Sequence, residues 1–262
     1  MSSVIEPPID VEERPYTIIL AEDGLYQDGL SVSWHSSFAQ VFPPKFGLSY
    51  QHFSLPPPPN PLPTDVDEYS WVDQVLTEIS LNVQTLPDAI WVARGPIQCH
   101  LAQLVLERSA FRGLVLVDPM DFASTDCVRA MEQYLKQQQR QRDRIEPSQQ
   151  RNEDRPAHNL WDCVLFEEIT NHWDHWTLKV EPGAVPMLIL QTSSLARVMG
   201  HDNSTTIDSL VSLCRTSAVS VAARHGDPMG PMGDVAVVSM DQETTDATIM
   251  AILSRWLDES VR

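Results

Sequence analysis

The stretch DAIWVARGPIQCHLAQLVLERSAFRGLVLVDP, residues 88–119, decides the fold. It opens with an apolar run at residues 89–92, which a glycine-containing turn follows. Residues 98–108 continue as a helical stretch, and a second apolar run occupies residues 113–117. Short apolar runs that alternate with helices are typical of a parallel sheet, because each crossover helix returns the chain to the same end of the sheet. The stretch therefore predicts a strand–turn–helix–strand unit.

The rest of the chain continues this alternation. Four further apolar runs predict strands, at residues 16–21, 46–53, 186–191 and 234–240. Apolar residues that repeat on one helical face predict helices at residues 71–81 and 249–257, and we expect a further helix at residues 206–214. We expect an α/β fold with a mostly parallel central sheet flanked by helices.

Domain boundaries follow from breaks in this pattern. Residues 1–15 are rich in proline and acidic residues, which predicts an extended N-terminal arm. Residues 16–262 then form one domain, a usual size for an α/β protein. The alternation stops between about residues 120 and 182, so we expect a helical or irregular cap insertion there. The proline-rich run at residues 55–63 is predicted to be a surface connector, because proline lacks the backbone donor that a central strand needs.

Net charge, cysteine content and hydropathy argue against nucleic-acid binding, a disulfide scaffold and a membrane span. Acidic residues outnumber basic residues by 36 to 18, for a formal net charge of −18, and such a surface repels nucleic acid and anionic lipid. The four cysteines form no CxxC pair, and no apolar run reaches the roughly 18 residues of a membrane span. With no signal-like apolar segment at the start, we expect a soluble intracellular protein, in the cytoplasm or an organelle interior, with no membrane insertion.

The order of elements and the phrase AQLVLERSAFRGLVLVDP, residues 102–119, together resemble the α/β-hydrolase fold. The resemblance covers about residues 16–257 in topology and is specific around residues 89–119. It implies that the turn after residues 89–92 is an elbow that presents a serine or cysteine nucleophile. It also implies an acid after residues 186–191 and a histidine after residues 234–240.

The residues at these family positions are not catalytic ones. The nucleophile position falls on Gly95 or Pro96, depending on whether it is counted from the strand or from the helix. The acid position reads Thr192 to Ser194, and the base position reads Asp241. The turn that would carry the oxyanion hole contains Glu22, whose charge would oppose a developing oxyanion. The resemblance thus implies a degenerate hydrolase whose catalytic triad has been lost.

Two other pairs of reactive residues are candidates for a catalytic or metal site. Cys99 and His100 are neighbours on a predicted helix, where adjacent side chains point about 100° apart and do not form a nucleophile–base pair. We expect Cys99 to be a small buried residue and His100 to be a polar contact on the helix surface. His172 and His175 lack a third ligand fixed by the sequence, so we expect no metal. No nucleotide-binding glycine motif is present, and we expect no cofactor.

The cap insertion carries the candidate partner-binding residues. Tryptophan and arginine are the residue types that most often anchor protein interfaces. The insertion contains both, and the candidates are Trp161, Trp173, Trp176, Arg140, Arg142 and Arg144. The proline-rich arm and residues 55–63 are secondary candidates for partner contacts. The alternative is that the tryptophans cover the top of the sheet and the basic segment is a loose loop. The first hypothesis is therefore a noncatalytic scaffold subunit with protein partners in a larger assembly. The alternatives are a small-molecule esterase or lyase that uses the same cleft with an unrecognised nucleophile, and a ligand-binding sensor.

Overall fold

The computed structural model of the chain describes residues 4–22, 33–53, 77–79, 81, 86–108, 110–120, 128–130, 132–133, 136, 185–192, 219–223, 235–240 and 246–261. Eight strands form one sheet in the order β1-β3-β2-β4-β5-β6-β8-β7. They are β1 (Val4–Ile5), β2 (Thr17–Glu22), β3 (Ser49–Phe53), β4 (Ala89–Arg94), β5 (Gly113–Val117), β6 (Met187–Gln191), β7 (Val219–Ala223) and β8 (Val235–Met240). Only β1 is antiparallel to its neighbour, and the other pairs are parallel.

Three helices have both ends within the described residues: α1 (His35–Phe46), α2 (Pro96–Arg108) and α3 (Asp246–Ser260). The expected fold class, a mostly parallel sheet flanked by helices, is confirmed. No helix within the described ranges is both long and apolar enough to cross a membrane.

The predicted strands of the central unit are close to the observed ones. The prediction for β5 is confirmed at both ends, and β4 continues two residues further than predicted, to Arg94. β3 begins three residues later than predicted because α1 and its terminating turn precede it. Of the helix predicted at residues 71–81, residues 77–79 and 81 are helical and the others lie outside the described residues. The helix predicted at 206–214 and the connector at 55–63 also lie outside them.

Helix α1 was not predicted from the sequence. Its aromatic residues recur at intervals of four, at Trp34, Phe38, Phe42 and Phe46, which places them along one side of a helix. The ring centroids of Phe38 and Phe42 lie 4.8 Å apart. Gly47 then ends the helix at φ 65°, where its backbone N–H donates to the Phe42 carbonyl.

The core joins α1 and α3 on one face of the sheet. Alternate residues of the strands point to the same face, so Leu20, Tyr50 and Val92 join Phe38 of α1 and Trp256 of α3 in a single buried cluster. Trp256 lies so close to Gly113 that a Cβ at Gly113 would be 2.8 Å from its ring.

The opposite face contains a second aromatic group. Trp91 points away from the α1 side, and its ring centroid lies 5.8 Å from that of Phe53 and 5.4 Å from that of Phe111. Both faces of the sheet are therefore covered, as is usual for parallel sheets.

The N-terminal arm is held by strand pairing, a hydrogen bond and an ion pair. Val4 and Ile5 form β1 and pair with Gln51 and Tyr50 of β3. Further along, the Arg14 backbone N–H donates to the Gly47 carbonyl at 2.7 Å, and the Arg14 guanidinium lies 2.9 Å from Asp258. The arm thus contributes a strand to the sheet.

Candidate functional site

The turn between β4 and α2 is formed by Gly95. Its φ of 102° lies in the region that glycine adopts more readily than other residues. Its N–H donates to the Val117 carbonyl at 2.9 Å, and its own carbonyl accepts the Cys99 N–H at 2.9 Å. Pro96 is the first residue of α2, a position that suits proline because no intrahelical partner is needed there. Neither Gly95 nor Pro96 carries a nucleophilic side chain.

A buried ion pair lies beside this turn. Glu22 and Arg94 are the last residues of the neighbouring strands β2 and β4, and their Cα atoms are paired in the sheet. Arg94 Nη1 lies 2.6 Å from Glu22 Oε1, and the two side chains are only 3% and 1% exposed. Isolated charges at this depth would be strongly destabilising, so each requires the other.

The segment that leads into α1 completes the surroundings of the pair. The Ser33 hydroxyl donates to Glu22 Oε2 at 2.6 Å, and the Trp34 backbone N–H donates to Oε1 at 3.0 Å. The Arg94 guanidinium lies 4.1 Å above the Trp34 ring, a cation–π arrangement. From the sequence, Glu22 was expected to be an uncompensated negative charge that opposes an oxyanion. In the structure, a guanidinium, a hydroxyl and a backbone amide compensate this charge.

Two histidines and a tyrosine lie next to this ion pair. His35 Nδ1 is 2.7 Å from the Tyr50 hydroxyl, and the His35 and His52 ring centroids are 4.8 Å apart. Burial, and then the charge of His35, lower the pKa of His52, although Glu22 partly opposes this. Burial and the charge of Glu22 raise the pKa of Tyr50 above its ordinary value. At neutral pH the tyrosine therefore remains a neutral phenol.

A carboxylate that the sequence analysis missed lies at the end of β5. Asp118 is buried, and its φ of 53° is unusual for a residue other than glycine. Its carboxylate accepts the Thr192 backbone N–H at 2.6 Å and also the Thr192 hydroxyl. The resemblance placed the catalytic acid after β6, where Thr192 lies, and not at the end of β5. The signal was the Val117-Asp118-Pro119 sequence directly after a predicted strand.

Cys99 and His100 of α2 are both buried. Cys99 Sγ lies 3.3 Å from the Ala93 and Val117 carbonyl oxygens, and the expectation of a buried cysteine is confirmed. The expectation that His100 is a surface contact is wrong, because its side chain is 1% exposed. Burial lowers the pKa of His100 to about 3, so the imidazole is neutral at neutral pH. The packing of α2 on β4 and β5 brings this position into the interior.

Several predicted site residues lie outside the described residues. These are the acid and base positions Ser194 and Asp241, the histidines His172 and His175, and all six candidate partner-binding residues. Within the described part of the chain, no group of three or more histidine, cysteine, aspartate or glutamate side chains is arranged to hold a metal ion. The site that the structure brings together is the polar cluster of Glu22, Arg94, His35, Tyr50 and His52.

The chain matches no protein-family model, and no curated protein matches it in sequence. Two solved structures are similar to it along nearly their whole length. One is the Vlm2 thioesterase domain bound with a dodecadepsipeptide, with a TM-score of 0.53, 12% identity and 95% of each chain covered. The other is MenH from S. aureus, with a TM-score of 0.52, 11% identity and 98% of each chain covered. At such low identity the similarity shows the fold alone.

Proposed function

Because the chain has the α/β-hydrolase fold, and because Gly95 and Pro96 form its elbow, we propose that the protein is a noncatalytic member of this fold. It acts as a structural or scaffold subunit of a larger protein assembly. The observation that carries the proposal is the elbow: the strand ends, the chain turns at a glycine with positive φ, and a proline begins the helix.

The chemistry of the fold explains why the elbow matters. Nucleophile, base and orienting acid act as a unit, so the loss of the nucleophile leaves the other members without their catalytic role. Asp118 is an example of a carboxylate that such a site can keep for structure alone, since Thr192 satisfies it with two hydrogen bonds.

The Glu22–Arg94 pair supports the same proposal. A catalytic oxyanion hole offers hydrogen-bond donors that point at the reacting atom. Here the guanidinium donates to the Glu22 carboxylate, and Ser33 and Trp34 donate to the same carboxylate. These three donors are therefore engaged by the Glu22 carboxylate.

The test is covalent labelling of the purified protein with a fluorophosphonate, read by intact mass, with an active serine hydrolase as the positive control. We expect no adduct, because an unactivated serine is a poor nucleophile. An adduct that disappears on mutation of one serine would refute the proposal and favour the small-molecule esterase alternative.

The partner surface of such a subunit is proposed to lie on the cap insertion, with Trp161, Trp173, Trp176, Arg140, Arg142 and Arg144 as anchors. Deletion of residues 137–155, or the double substitution Trp173→Ala and Trp176→Ala, should reduce co-purification of the partner. The circular dichroism spectrum should stay that of a folded α/β protein, because both changes lie outside the strands that the structure describes. Undiminished co-purification after both changes would place the main contacts elsewhere.

A further inference from the structure

Residues 4–13 of the N-terminal arm have an unusual concentration of exposed apolar side chains. Among the described residues, four large apolar side chains are exposed, and three of them lie within six positions of the arm. Val4 is 45% exposed, Ile5 is 36% exposed and Ile9 is fully exposed, while the fourth, Leu81, lies elsewhere in the chain. Clustered exposed apolar side chains mark interaction sites more often than scattered ones do.

The arm holds these side chains in a fixed arrangement. β1 pairs with β3, and the Ser49 hydroxyl donates to the Glu6 carboxylate at 2.6 Å. The Val11 N–H donates to the Pro8 carbonyl at 3.0 Å, which closes a turn that presents Ile9 at its tip. A surface that is already ordered loses less conformational entropy when a partner binds it.

The arm also lies at the edge of the sheet. Within the described part of the chain, no strand pairs with the outer side of β1. The strand is only two residues long and is followed by Pro7 and Pro8, which have no backbone N–H to offer a further strand. Recognition at this edge must therefore rely mainly on side chains.

The charge of the arm indicates what kind of surface fits it. Glu6, Asp10, Glu12 and Glu13 lie between and beside the apolar residues, and residues 4–13 contain no lysine or arginine. Arg14, which follows, is paired with Asp258 and does not neutralise them. A second copy of the chain would bring the same negative charge, and the whole chain carries −18. A complementary surface must be basic.

We propose that the arm is a docking site for a protein partner whose contacting segment combines apolar side chains with lysine or arginine. The proposal rests on the proposed scaffold function and extends it, since it names a second surface and the chemistry of what that surface binds. Val4 and Ile9 supply the apolar contacts, whereas Ile5 follows Val4 in β1 and points to the opposite face of the sheet. The four carboxylates select a basic partner over an acidic one.

The test uses the full chain and a 12-residue peptide of alternating valine and lysine, with binding measured by fluorescence anisotropy. A peptide of alternating serine and lysine has the same charge and serves as the electrostatic control. The double substitution Val4→Ser with Ile9→Ser should weaken binding of the valine peptide at least about fivefold and leave binding of the serine peptide unchanged. Leu81→Ser, at the exposed apolar site outside the arm, should bind both peptides as the unsubstituted protein does.

Two outcomes would overturn the proposal. Equal binding of the valine peptide by the arm variant and the unsubstituted protein would show attraction by overall charge only. A dimer in light scattering that the arm substitutions abolish would assign the surface to a second copy. Thermal denaturation of each variant verifies that it is folded. Fluorophosphonate labelling is independent of both outcomes, so failure of the scaffold proposal and failure of the arm proposal can be told apart.

Discussion

At the scale of single residues, Glu22 and Arg94 place two opposite charges in the interior at the ends of β2 and β4. Removal of one member of such a pair leaves the other charge buried without compensation. The ion pair between Arg255 and Glu259 offers a comparison, because it lies one helical turn apart on α3 and both side chains are about one-third exposed.

We predict that Glu22→Gln lowers the free energy of unfolding by about 3 kcal/mol, because the Arg94 guanidinium loses its counter-charge. Glu259→Gln, the matched control, should change it by less than about 0.5 kcal/mol. Urea denaturation followed by circular dichroism measures both. Equal effects of the two substitutions would mean that the buried pair contributes no more than a surface pair.

His100 predicts how stability depends on pH. Its pKa in the folded protein is about 3, below the ordinary value of about 6.5 that it takes in the unfolded chain. Between these values the unfolded chain binds a proton that the folded protein does not. The contribution of neutral His100 is therefore fully present above pH 6.5 and is lost progressively as the pH falls towards 3.

The substitution His100→Asn removes this titration. Between pH 6 and pH 4.5, the free energy of unfolding of the unsubstituted protein should fall relative to that of His100→Asn by about 1.4 kcal/mol per pH unit. Urea denaturation at several pH values provides the comparison. A constant difference between the two proteins across this range would contradict a buried neutral imidazole.

Gly95 and Pro96 allow a test of whether a catalytic base faces the turn between β4 and α2. We predict that neither Gly95→Ser nor Pro96→Ser produces esterase activity, because a serine without a positioned base has a hydroxyl of high pKa. Hydrolysis of a short-chain nitrophenyl ester is the assay, with the unsubstituted protein as background. Activity well above that background would reveal a base that still faces the elbow.

At the scale of secondary structure, Gly47 connects three parts of the protein. It ends α1 with a left-handed backbone, and a Cβ at this position would lie 1.9 Å from the carbonyl oxygen of Glu12 in the arm. Gly47→Ala should therefore lower the free energy of unfolding by at least about 2 kcal/mol, since alanine disfavours this conformation and the arm must also move. Lys45→Ala, an exposed position in the same turn, should change it by less than about 0.5 kcal/mol. Equal stability of the two variants in urea denaturation would show that the arm does not approach Gly47 closely.

The sequence predicts the central strands well and other elements poorly, for identifiable reasons. β4 and β5 are continuous apolar runs because both faces of a parallel strand are buried, and such runs are easy to recognise. The four-residue aromatic interval of α1 was masked by Pro43 and Pro44, which normally argue against a helix. β7 was not predicted, because its small residues, VSVAA, form a weak apolar run.

At the scale of the whole molecule, the candidate site depends on contacts between distant parts of the chain. Glu22 and Arg94 are 72 residues apart in sequence, and the order of the strands makes them neighbours. The elbow could be located from one local stretch, whereas the polar cluster beside it could not, since local patterns do not reveal strand order. His100 illustrates the same limit, because the packing of α2 determines its burial.

Because the strands, α1 and α3 share one buried core, we predict a single cooperative unfolding transition. Trp256 of α3 is fully buried against β5, so Trp256→Ala should lower the free energy of unfolding by about 3–5 kcal/mol. Circular dichroism and tryptophan fluorescence should report the same transition in the unsubstituted protein. Two separate transitions would mean that the protein does not unfold as a single cooperative unit.

The position of α3 in the chain also has a consequence for synthesis on the ribosome. The side chains that close the core over Gly113 and the carboxylate that pairs with Arg14 belong to this helix, which is translated more than 130 residues after β5 begins. While the ribosome still holds α3, the part of the sheet that this helix covers has apolar residues open to chaperones and to other nascent chains, although α1 already packs on the same face. Completion of the fold must therefore wait until α3 has emerged.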